Sequence, residues 1–282
     1  MRYHHNFHAG NFADVHKHVA LLALLDALQA KAKGFLFLDT HAASGLADLD
    51  GADARRSEEA EQGWSRLTGA PLEAPELVAF RGAVQSLQQR CGARHYPGSP
   101  MLAAHRLRDQ DRGIAFDTQA PTTRALERNL ATAGLERRMR SQIGNGFAQL
   151  AAHWPPRERR SLALIDPPYE SPDELLHALD AVAQGLERFE TGVIAIWFPI
   201  KRERDLDRWL ARVTATVSRP TLAALLWVHP LDSAAGLNGS GMLIVNPPYA
   251  MSQRLADWQD ELRQRLAPEH GGSEVRWLVN ER

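Results

Sequence analysis

The sequence is poor in cysteine, in long apolar runs and in net charge, and each shortage excludes a class of function. Cys91 is the only cysteine, so an intramolecular disulfide and a cysteine-based zinc cluster are excluded. No uninterrupted apolar run of about 18 residues is present, and the first residues lack the apolar core of a signal peptide. These absences predict a cytoplasmic protein without membrane contact.

Charge is nearly balanced over the 282 residues, with 33 lysines and arginines against 34 aspartates and glutamates. The formal net charge of -1 excludes the strongly positive field with which non-specific nucleic-acid binders gather phosphates. Any contact with nucleic acid must therefore be a local patch. The hydrophobic content of 44% suits a globular protein with a sizeable core.

Short apolar runs alternate with amphipathic helical patterns along most of the chain. A helix is predicted over 11–33, with Gly34 as its C-cap. Apolar runs that end in a polar residue predict the first four strands, at 35–38, 113–116, 139–143 and 161–165. Later strands are predicted at 193–198, 222–228 and 242–245, and helices at 122–133, 147–154, 172–189 and 202–216. This alternation predicts a doubly wound α/β fold with a mostly parallel sheet.

Residues 46–98 interrupt the alternation. They hold two charged helical patterns, at 57–67 and 75–89, and no strand pattern. We interpret them as a small inserted helical subdomain. The main domain then consists of 1–45 and 99–282, and it begins with an arm and a helix over 1–34.

The motif Asp166-Pro167-Pro168-Tyr169 follows the predicted fourth strand and suits the binding of a planar amino group. The prolines stiffen the turn and lack N–H groups, so the loop offers carbonyl acceptors beside the Asp166 carboxylate. Tyr169 supplies a ring on which an extruded purine can stack, an interaction worth roughly 1–3 kcal/mol per base. Two acceptors on an adenine N6 would free its lone pair to attack a sulfonium methyl group in line, without a metal. The motif therefore predicts that Asp166, Pro167 and Tyr169 catalyse amino-group methylation.

A second copy of the motif, Asn246-Pro247-Pro248-Tyr249, follows the predicted seventh strand. Ligands of open α/β sheets bind at the carboxyl ends of strands near the switch point, where the first strand adjoins the strand that begins the second half. Asp166 ends that strand, whereas Asn246 is expected at the far side of the sheet. We therefore interpret the first copy as the site and the second as structural.

Polar residues also end the other strands of the first half. Asp39 opens a loop of small residues, 39–45, which lacks the G-x-G-x-x-G fingerprint but lets a ligand approach the backbone closely. Asp117 stands where an acid would accept the ribose hydroxyls of an adenosine, and Asn145-Gly146 where the adenine of a cofactor would lie. These strand ends predict a site for S-adenosylmethionine, which has no pyrophosphate to bind.

Over essentially its whole length, the sequence resembles the bacterial 23S ribosomal RNA adenine-N6 methyltransferases, which are class I methyltransferases with a Rossmann-like fold. The resemblance is carried by Tyr3-x-His5-x-Phe7-His8-Ala9-Gly10-Asn11, Ala13-Asp14-Val15, Lys17-His18, Leu38-Asp39-Thr40-His41-Ala42, Tyr96-Pro97-Gly98-Ser99-Pro100 and Leu164-Ile165-Asp166-Pro167-Pro168-Tyr169-Glu170. It implies an adenine of 23S ribosomal RNA as the target, at position 2030 of that RNA, rather than DNA.

Further roles are implied by the resemblance alone. It places Asp166 as the catalytic carboxylate, Tyr3 and Lys17 near the RNA, and six residues around S-adenosylmethionine: His18, His41, Ser99, Asp117, Asn145 and Gly146. Two positions depart from the family pattern, because Asp117 stands where Glu is usual and Asn145 where Asp is usual. Both keep an oxygen acceptor, so we expect a changed cofactor affinity at most.

Three other patterns have competing interpretations. The early histidines His4, His5, His8, His16 and His18 could bind a metal, but a spacing of two separates His16 from His18 on a helix, so we expect no metal and a polar arm that closes over the site. Ser99-Pro100 fits an N-cap and a first helical residue, and the same helix N-terminus would suit the cofactor's carboxylate. The basic residues between Lys201 and Arg212 either track phosphates or form a solvated helix face balanced by neighbouring acids.

Three functional hypotheses follow from the sequence. The first is a monomeric enzyme that methylates N6 of one adenine in 23S ribosomal RNA. The second keeps the chemistry but acts on a DNA adenine or on a glutamine side-chain amide, because the motif recognises only a planar amino group. The third is a non-catalytic RNA-binding or assembly factor on a methyltransferase scaffold.

Overall fold

The computed structural model describes residues 9–51, 59–69, 71–171, 173–267 and 269–280. In its first half the elements are α1 (Phe12–Gln29), β1 (Leu36–Asp39), β2 (Leu46–Asp48), α2 (Glu59–Gln62), α3 (Ser65–Thr68), α4 (Pro75–Cys91), β3 (His95–Pro97), α5 (Ser99–Arg106), β4 (Arg112–Asp117), α6 (Ala120–Thr132) and β5 (Met139–Ile143). They are followed by α7 (Gly146–His153), β6 (Ser161–Ile165), α8 (Glu174–Arg188), β7 (Val193–Ile200), α9 (Glu203–Thr216), β8 (Thr221–Trp227), β9 (Gly239–Val245), α10 (Met251–Leu266) and β10 (Gly272–Val279).

An eight-stranded sheet with the order β10-β8-β9-β7-β6-β1-β4-β5 forms the centre of the fold. The strands from β7 to β5 in this order are parallel, β9 runs antiparallel to both β7 and β8, and β10 runs antiparallel to β8. Six strands therefore share one direction. The predicted mostly parallel sheet is confirmed, and so is the predicted neighbourhood of the first and fourth strands, now β1 and β6.

Helices cover both faces of this sheet, as the apolar runs predict. Phe37 of β1 packs in an apolar cluster with residues of α1, α4 and α10, whereas its neighbour Leu38 packs on the other face with residues of α8 and α9. Successive strand residues point to opposite faces, so a strand buried on both faces needs a continuous apolar run. The doubly wound architecture is confirmed. Among the described residues, no helix is long and apolar enough to cross a bilayer.

The end of α1 was predicted wrongly. The helix stops at Gln29 with Ala30 as its C-cap, several residues before Gly34. Gly34 has a different reason to be glycine, since a Cβ there would collide with the backbone carbonyl of Gln110. The buried apolar positions of this segment end at Leu28, and residues 30–33 beyond the helix are exposed.

The segment 46–98 does contain strands, contrary to the prediction. β2 and β3 pair antiparallel at its two ends, with Leu46 opposite Pro97. Strands of three residues are too short to show a periodic pattern. The helical pattern at 57–67 is also interrupted, because Gly63 packs so closely on Gly10 that a Cβ would collide with the Gly10 carbonyl; Ser57, where this helix was predicted to begin, lies outside the described residues.

The inserted segment packs on the main sheet's helices. Leu77, Phe80 and Val84 of α4 are fully buried in the same apolar cluster as α1. Burial of side chains of this size is worth about 1.5–3 kcal/mol each, so this contact ties the segment firmly to α1. Division of the chain at residues 45 and 99 stays a prediction.

Candidate active site

The carboxyl ends of four adjacent parallel strands bring the predicted site residues to one edge of the sheet. In the order β6, β1, β4 and β5, these strands are followed or ended by Asp166, Asp39, Asp117 and Asn145. Backbone hydrogen bonds join the neighbouring strand ends, from Thr40 N to Leu164 O (3.0 Å) and from Ala42 N to Phe116 O (2.8 Å). The parallel arrangement therefore aligns residues that lie far apart in the sequence.

Lys17 forms a buried ion-pair network with two aspartates. Its Nζ lies 2.6 Å from Asp166 Oδ2 and 2.7 Å from Asp14 Oδ1, and the lysine side chain is only 5% exposed. Burial alone would lower the pKa of Lys17, but the charges of Asp14 and Asp166 outweigh it and raise that pKa above its ordinary value. The lysine is therefore charged, and it fixes one oxygen of Asp166.

Asp14 joins this network to the start of α1. Its Oδ2 accepts a hydrogen bond from Gly10 N (3.0 Å), and its own N–H donates to the side chain of the N-cap residue Asn11 (2.8 Å). Gly10 has a φ of 77°, a conformation that glycine adopts readily. Asp14 was not predicted as a site residue. The only sequence signal was its place in a segment that carried the resemblance.

Next to Asp166, Tyr169 and Trp197 form one wall of a pocket of about 330 Å³. Their ring centroids lie 5.5 Å apart, and the Tyr169 hydroxyl donates to the backbone carbonyl of Trp197. Tyr169 has a φ of 53°, an unfavourable conformation for a bulky residue that functional sites often retain. Asp166, Lys17 and Lys201 also line the pocket, which therefore combines an aromatic wall with charged groups.

Trp197 was not predicted as a site residue. Hydrogen bonds through Ser240 and His16 hold its side chain in place. Its indole N–H donates to Ser240 Oγ (2.9 Å), and the same hydroxyl bonds to His16 Nδ1 (2.8 Å). Burial lowers the pKa of His16 to about 3, so this histidine is neutral. The indole of Trp197 also lies near Lys17, with the Nζ 5.5 Å from its ring centroid, a cation–π distance.

Asp39 is a fully buried carboxylate beside Asp166. Ser99 Oγ donates to its Oδ2 (2.7 Å) and His41 N to its Oδ1 (3.3 Å). Burial and the nearby charge of Asp166 raise the pKa of Asp39 to about 7, against the opposing hydrogen bonds and the charge of Lys17. Ser99 is a residue of α5 and not its N-cap, which is Gly98; its hydroxyl therefore bonds to Asp39 and does not cap the helix.

We expect Asp39→Asn to change how stability depends on pH. In the folded protein Asp39 holds its proton up to about pH 7, whereas its ordinary pKa is 3.8. The stability that protonated Asp39 contributes is therefore full below about pH 4 and lost as the pH rises to about 7, by at most about 4 kcal/mol. Urea unfolding of both proteins between these pH values should show wild type losing stability relative to the variant. Parallel curves would contradict the assignment.

Near this edge, His18 is buried and His41 is half-buried. Burial lowers the pKa of His41 to about 4, and its ring meets Phe147 edge-on with centroids 4.7 Å apart. His18 Nδ1 bonds to the Tyr96 hydroxyl (2.9 Å), whereas His16 bonds to Ser240, so the two histidines face different neighbours, as their spacing predicts. Tyr3, His4, His5 and His8 lie outside the described residues, so the structure does not test the predicted arm.

The loops after β4 and β5 are shaped by three of the predicted residues, Asp117, Asn145 and Gly146. Asn145 is the N-cap of α7, and its side chain accepts from Phe147 N (3.0 Å). Gly146 must be glycine, because a Cβ there would collide with the Thr40 carbonyl. Asp117 accepts from Gln119 N (2.7 Å). Each residue therefore has a local structural role at the position where a cofactor contact is predicted.

The second motif copy was expected at the far side of the sheet, but it follows a strand that adjoins β7 and is separated from Asp166 by the direction of that strand. β9 runs antiparallel to β7, so Asn246 emerges at the opposite edge of the sheet from Asp166. Its side-chain amide donates to the carbonyls of Glu190 (2.9 Å) and Gly192 (2.8 Å), and it thereby anchors the turn before β7. Tyr249 of this copy is 94% exposed and packs against nothing comparable to Trp197.

The basic stretch after β7 reaches the pocket at one residue. Lys201 lines the pocket beside Asp166, whereas Arg208 is paired with Asp205 (3.5 Å). Lys201, the first basic residue of this stretch, therefore belongs to the pocket. The basic residues after it lie along the exposed start of α9.

Comparisons with known proteins extend over nearly the whole chain. The family model described as "Ribosomal RNA large subunit methyltransferase D, RlmJ" matches residues 32–279. Proteins named ribosomal RNA large subunit methyltransferase J, from Haemophilus influenzae and Escherichia coli, are each 35% identical, over 100% of this chain and of their own. A crystal structure of a Legionella pneumophila protein is 27% identical, with a TM-score of 0.84, covering 95% of this chain and 98% of that one.

Proposed function

Because this chain belongs to the ribosomal RNA large subunit methyltransferase J family, we propose that it methylates N6 of one adenine in 23S ribosomal RNA, with S-adenosylmethionine as methyl donor. The observation that carries the choice of an amino group is the Asp166 carboxylate, fixed by Lys17 at the wall of an aromatic pocket. The family resemblance further supports position 2030 of the RNA as the target.

Asp166 and Pro167 bind the hydrogens of the target amino group. Lys17 occupies Oδ2 of Asp166, which leaves Oδ1 to accept one hydrogen, and the Pro167 carbonyl accepts the other. Binding both hydrogens localises the nitrogen lone pair, which then points at the incoming methyl group. As the bond from the nitrogen to the methyl carbon forms and the bond from that carbon to the sulfonium sulfur breaks, the nitrogen would lose a proton toward Asp166. Positioning and electrostatics at this carboxylate provide the catalysis.

The residues at the ends of β1, β4 and β5 fit S-adenosylmethionine, whose sulfonium supplies an electrophilic methyl group when the cofactor is bound. Asp39 is a buried acceptor suited to the amino group of its methionyl part, beside Ser99 and His41. Asp117 suits its ribose hydroxyls, and Asn145-Gly146 the region of its adenine. The close packing of Gly146 on Thr40 keeps this loop backbone near β1. His18, the residue after Lys17 in α1, is the last of the residues proposed to bind the cofactor.

Tyr169 and Trp197 provide the surface for the target base. Stacking on an aromatic side chain is worth about 1–3 kcal/mol per base, and a base must leave its helix to reach such a pocket. Tyr169, Lys17 and Tyr3 are the proposed RNA contacts, and Lys201 adds a charge where the neighbouring phosphate would lie. Large exposed apolar side chains in the described part are scattered (Val78, Ile143 and Tyr249), which supports action as a monomer.

The substrate is tested by offering methyl-tritiated S-adenosylmethionine with 23S ribosomal RNA, with duplex DNA and with whole protein separately. We expect label only in the RNA, recovered as N6-methyladenosine, and mass mapping should place it at one adenine. Ribosomal RNA from cells lacking this protein should lack the same modification. Label in DNA, or in a glutamine amide, would contradict the proposal in favour of the second hypothesis.

The non-catalytic hypothesis makes a different prediction about the cofactor. Isothermal titration of the folded protein with S-adenosylmethionine should detect binding if the strand ends form a working site. Failure of folded protein to bind the cofactor would favour the scaffold hypothesis.

A further inference from the structure

Five arginines line a groove of about 500 Å³ at the edge of the sheet opposite Asp166. They lie where β4 and β5 begin and just before β6: Arg112, Arg137, Arg138, Arg140 and Arg157. We call this the amino-edge groove. Parallel strands place all their first residues at one edge, so the position of these arginines at the strand starts gathers their charges.

Most acidic residues near the groove are ion-paired with particular arginines. Asp111 is buried and bonded to Arg108 (2.9 Å), an arginine outside the groove lining. Glu158 binds Arg112 through both of its oxygens and also accepts from Arg157 (3.0 Å). Asp109 is 97% exposed and lies 3.8 Å from Arg138, so it contributes little.

Arg137 and Arg140 supply surplus positive charge. Both are exposed, and neither guanidinium is ion-paired with an acidic group of the described residues, although Arg140 also lines a second pocket with Glu127 and Glu136. The whole chain has a net charge of -1, so this local surplus is set against a balanced molecule. It is the kind of local patch that nucleic-acid contact requires of a protein without an overall positive field.

We infer that the amino-edge groove binds the phosphate backbone of the RNA substrate, outside the segment that enters the pocket; the inference rests on the proposed function. A guanidinium presents a planar set of donors that matches a phosphate, and Arg137 and Arg140 have theirs free of acidic partners. β4 runs from the groove to the site edge over six residues, about 20 Å at 3.3 Å per residue. An RNA that fills only the pocket does not reach the groove, whereas a longer RNA does.

The test compares a minimal stem-loop bearing the target adenine with a 23S ribosomal RNA fragment that extends several helical turns beyond it. For Arg137→Glu/Arg140→Glu, we expect the Kd of the long fragment to rise about tenfold or more near physiological salt. The slope of log affinity against log salt should fall by about two. The Kd of the stem-loop, the affinity for S-adenosylmethionine and kcat at saturating RNA should stay unchanged.

Arg94→Glu/Arg263→Glu is the control for net charge, because it changes that charge equally at two arginines outside the groove, which are paired with Asp50 and Asp260. This variant should bind the long fragment within about twofold of wild type. The inference is overturned if both variants weaken binding equally, if the groove variant binds the long fragment normally, or if the groove binds inorganic phosphate without affecting RNA. Absence of methyl transfer by wild type to either RNA would instead contradict the proposed function, so the two failures are distinguishable.

Discussion

Asp166→Ala is expected to lower kcat for methyl transfer to ribosomal RNA by about 100-fold to 1000-fold, the range for losing one preorganised electrostatic contact to a reacting group. The methyl side chain cannot accept an amino hydrogen, so the nitrogen lone pair stays delocalised in the purine ring. Lys17 keeps Asp14 as its partner, so the variant should fold. Single-turnover kinetics with tritiated cofactor measures the loss, and titration should show that S-adenosylmethionine still binds.

The second motif copy provides the control for this result. Asn246→Ala removes two hydrogen bonds to backbone carbonyls at the opposite edge, so it should lower stability by about 1–3 kcal/mol. Methyl transfer per folded molecule should be unchanged. Near-normal transfer by Asp166→Ala, or an equal loss in both variants, would contradict the assignment of the site.

Lys17→Met is expected to lower the free energy of unfolding at neutral pH by about 3–5 kcal/mol, because it leaves Asp14 and Asp166 buried without their shared cation. Urea unfolding at neutral pH measures the loss.

Two further variants separate charge from packing at this position. Lys17→Arg keeps a cation beside both aspartates and should retain more of the stability than Lys17→Met does. Adding Asp14→Asn to Lys17→Met removes one stranded charge, so the double variant should be more stable than Lys17→Met alone. If Asp14→Asn brings no recovery, the penalty arises from lost packing and not from unpaired charge.

Most of the strands were predictable because they are buried on both faces and end abruptly in a polar residue; β5, at the edge of the sheet, is largely exposed and is the exception. Phe37-Leu38-Asp39 and Leu164-Ile165-Asp166 show this change within three residues, and the pairing of β1 with β6 then follows from the usual arrangement of doubly wound α/β folds. The site residues at the strand ends were predicted for the same reason. β10 and α10 were not predicted, since β10 is only half-buried and α10 presents mostly polar residues.

Contacts across long sequence separations could not be predicted. Lys17 and Asp166 are 149 residues apart, and no local pattern pairs a lysine in a helix with an acid after a distant strand. Trp197 was interpreted only as part of a strand, although its ring forms the pocket wall. The antiparallel direction of β9 could not be predicted either, because its apolar sequence suits a parallel or an antiparallel strand.

The burial of α1 also governs when the protein becomes competent during its own synthesis. α1 leaves the ribosome first, yet His16 bonds to Ser240, 224 residues later, and packs against Trp258 with ring centroids 5.7 Å apart. At 5–20 residues per second, translation from one partner to the other takes roughly 10–45 seconds. Until then the helix that carries Lys17 lacks part of its packing surface, so the site is completed only after Ser240 and Trp258 have been synthesised.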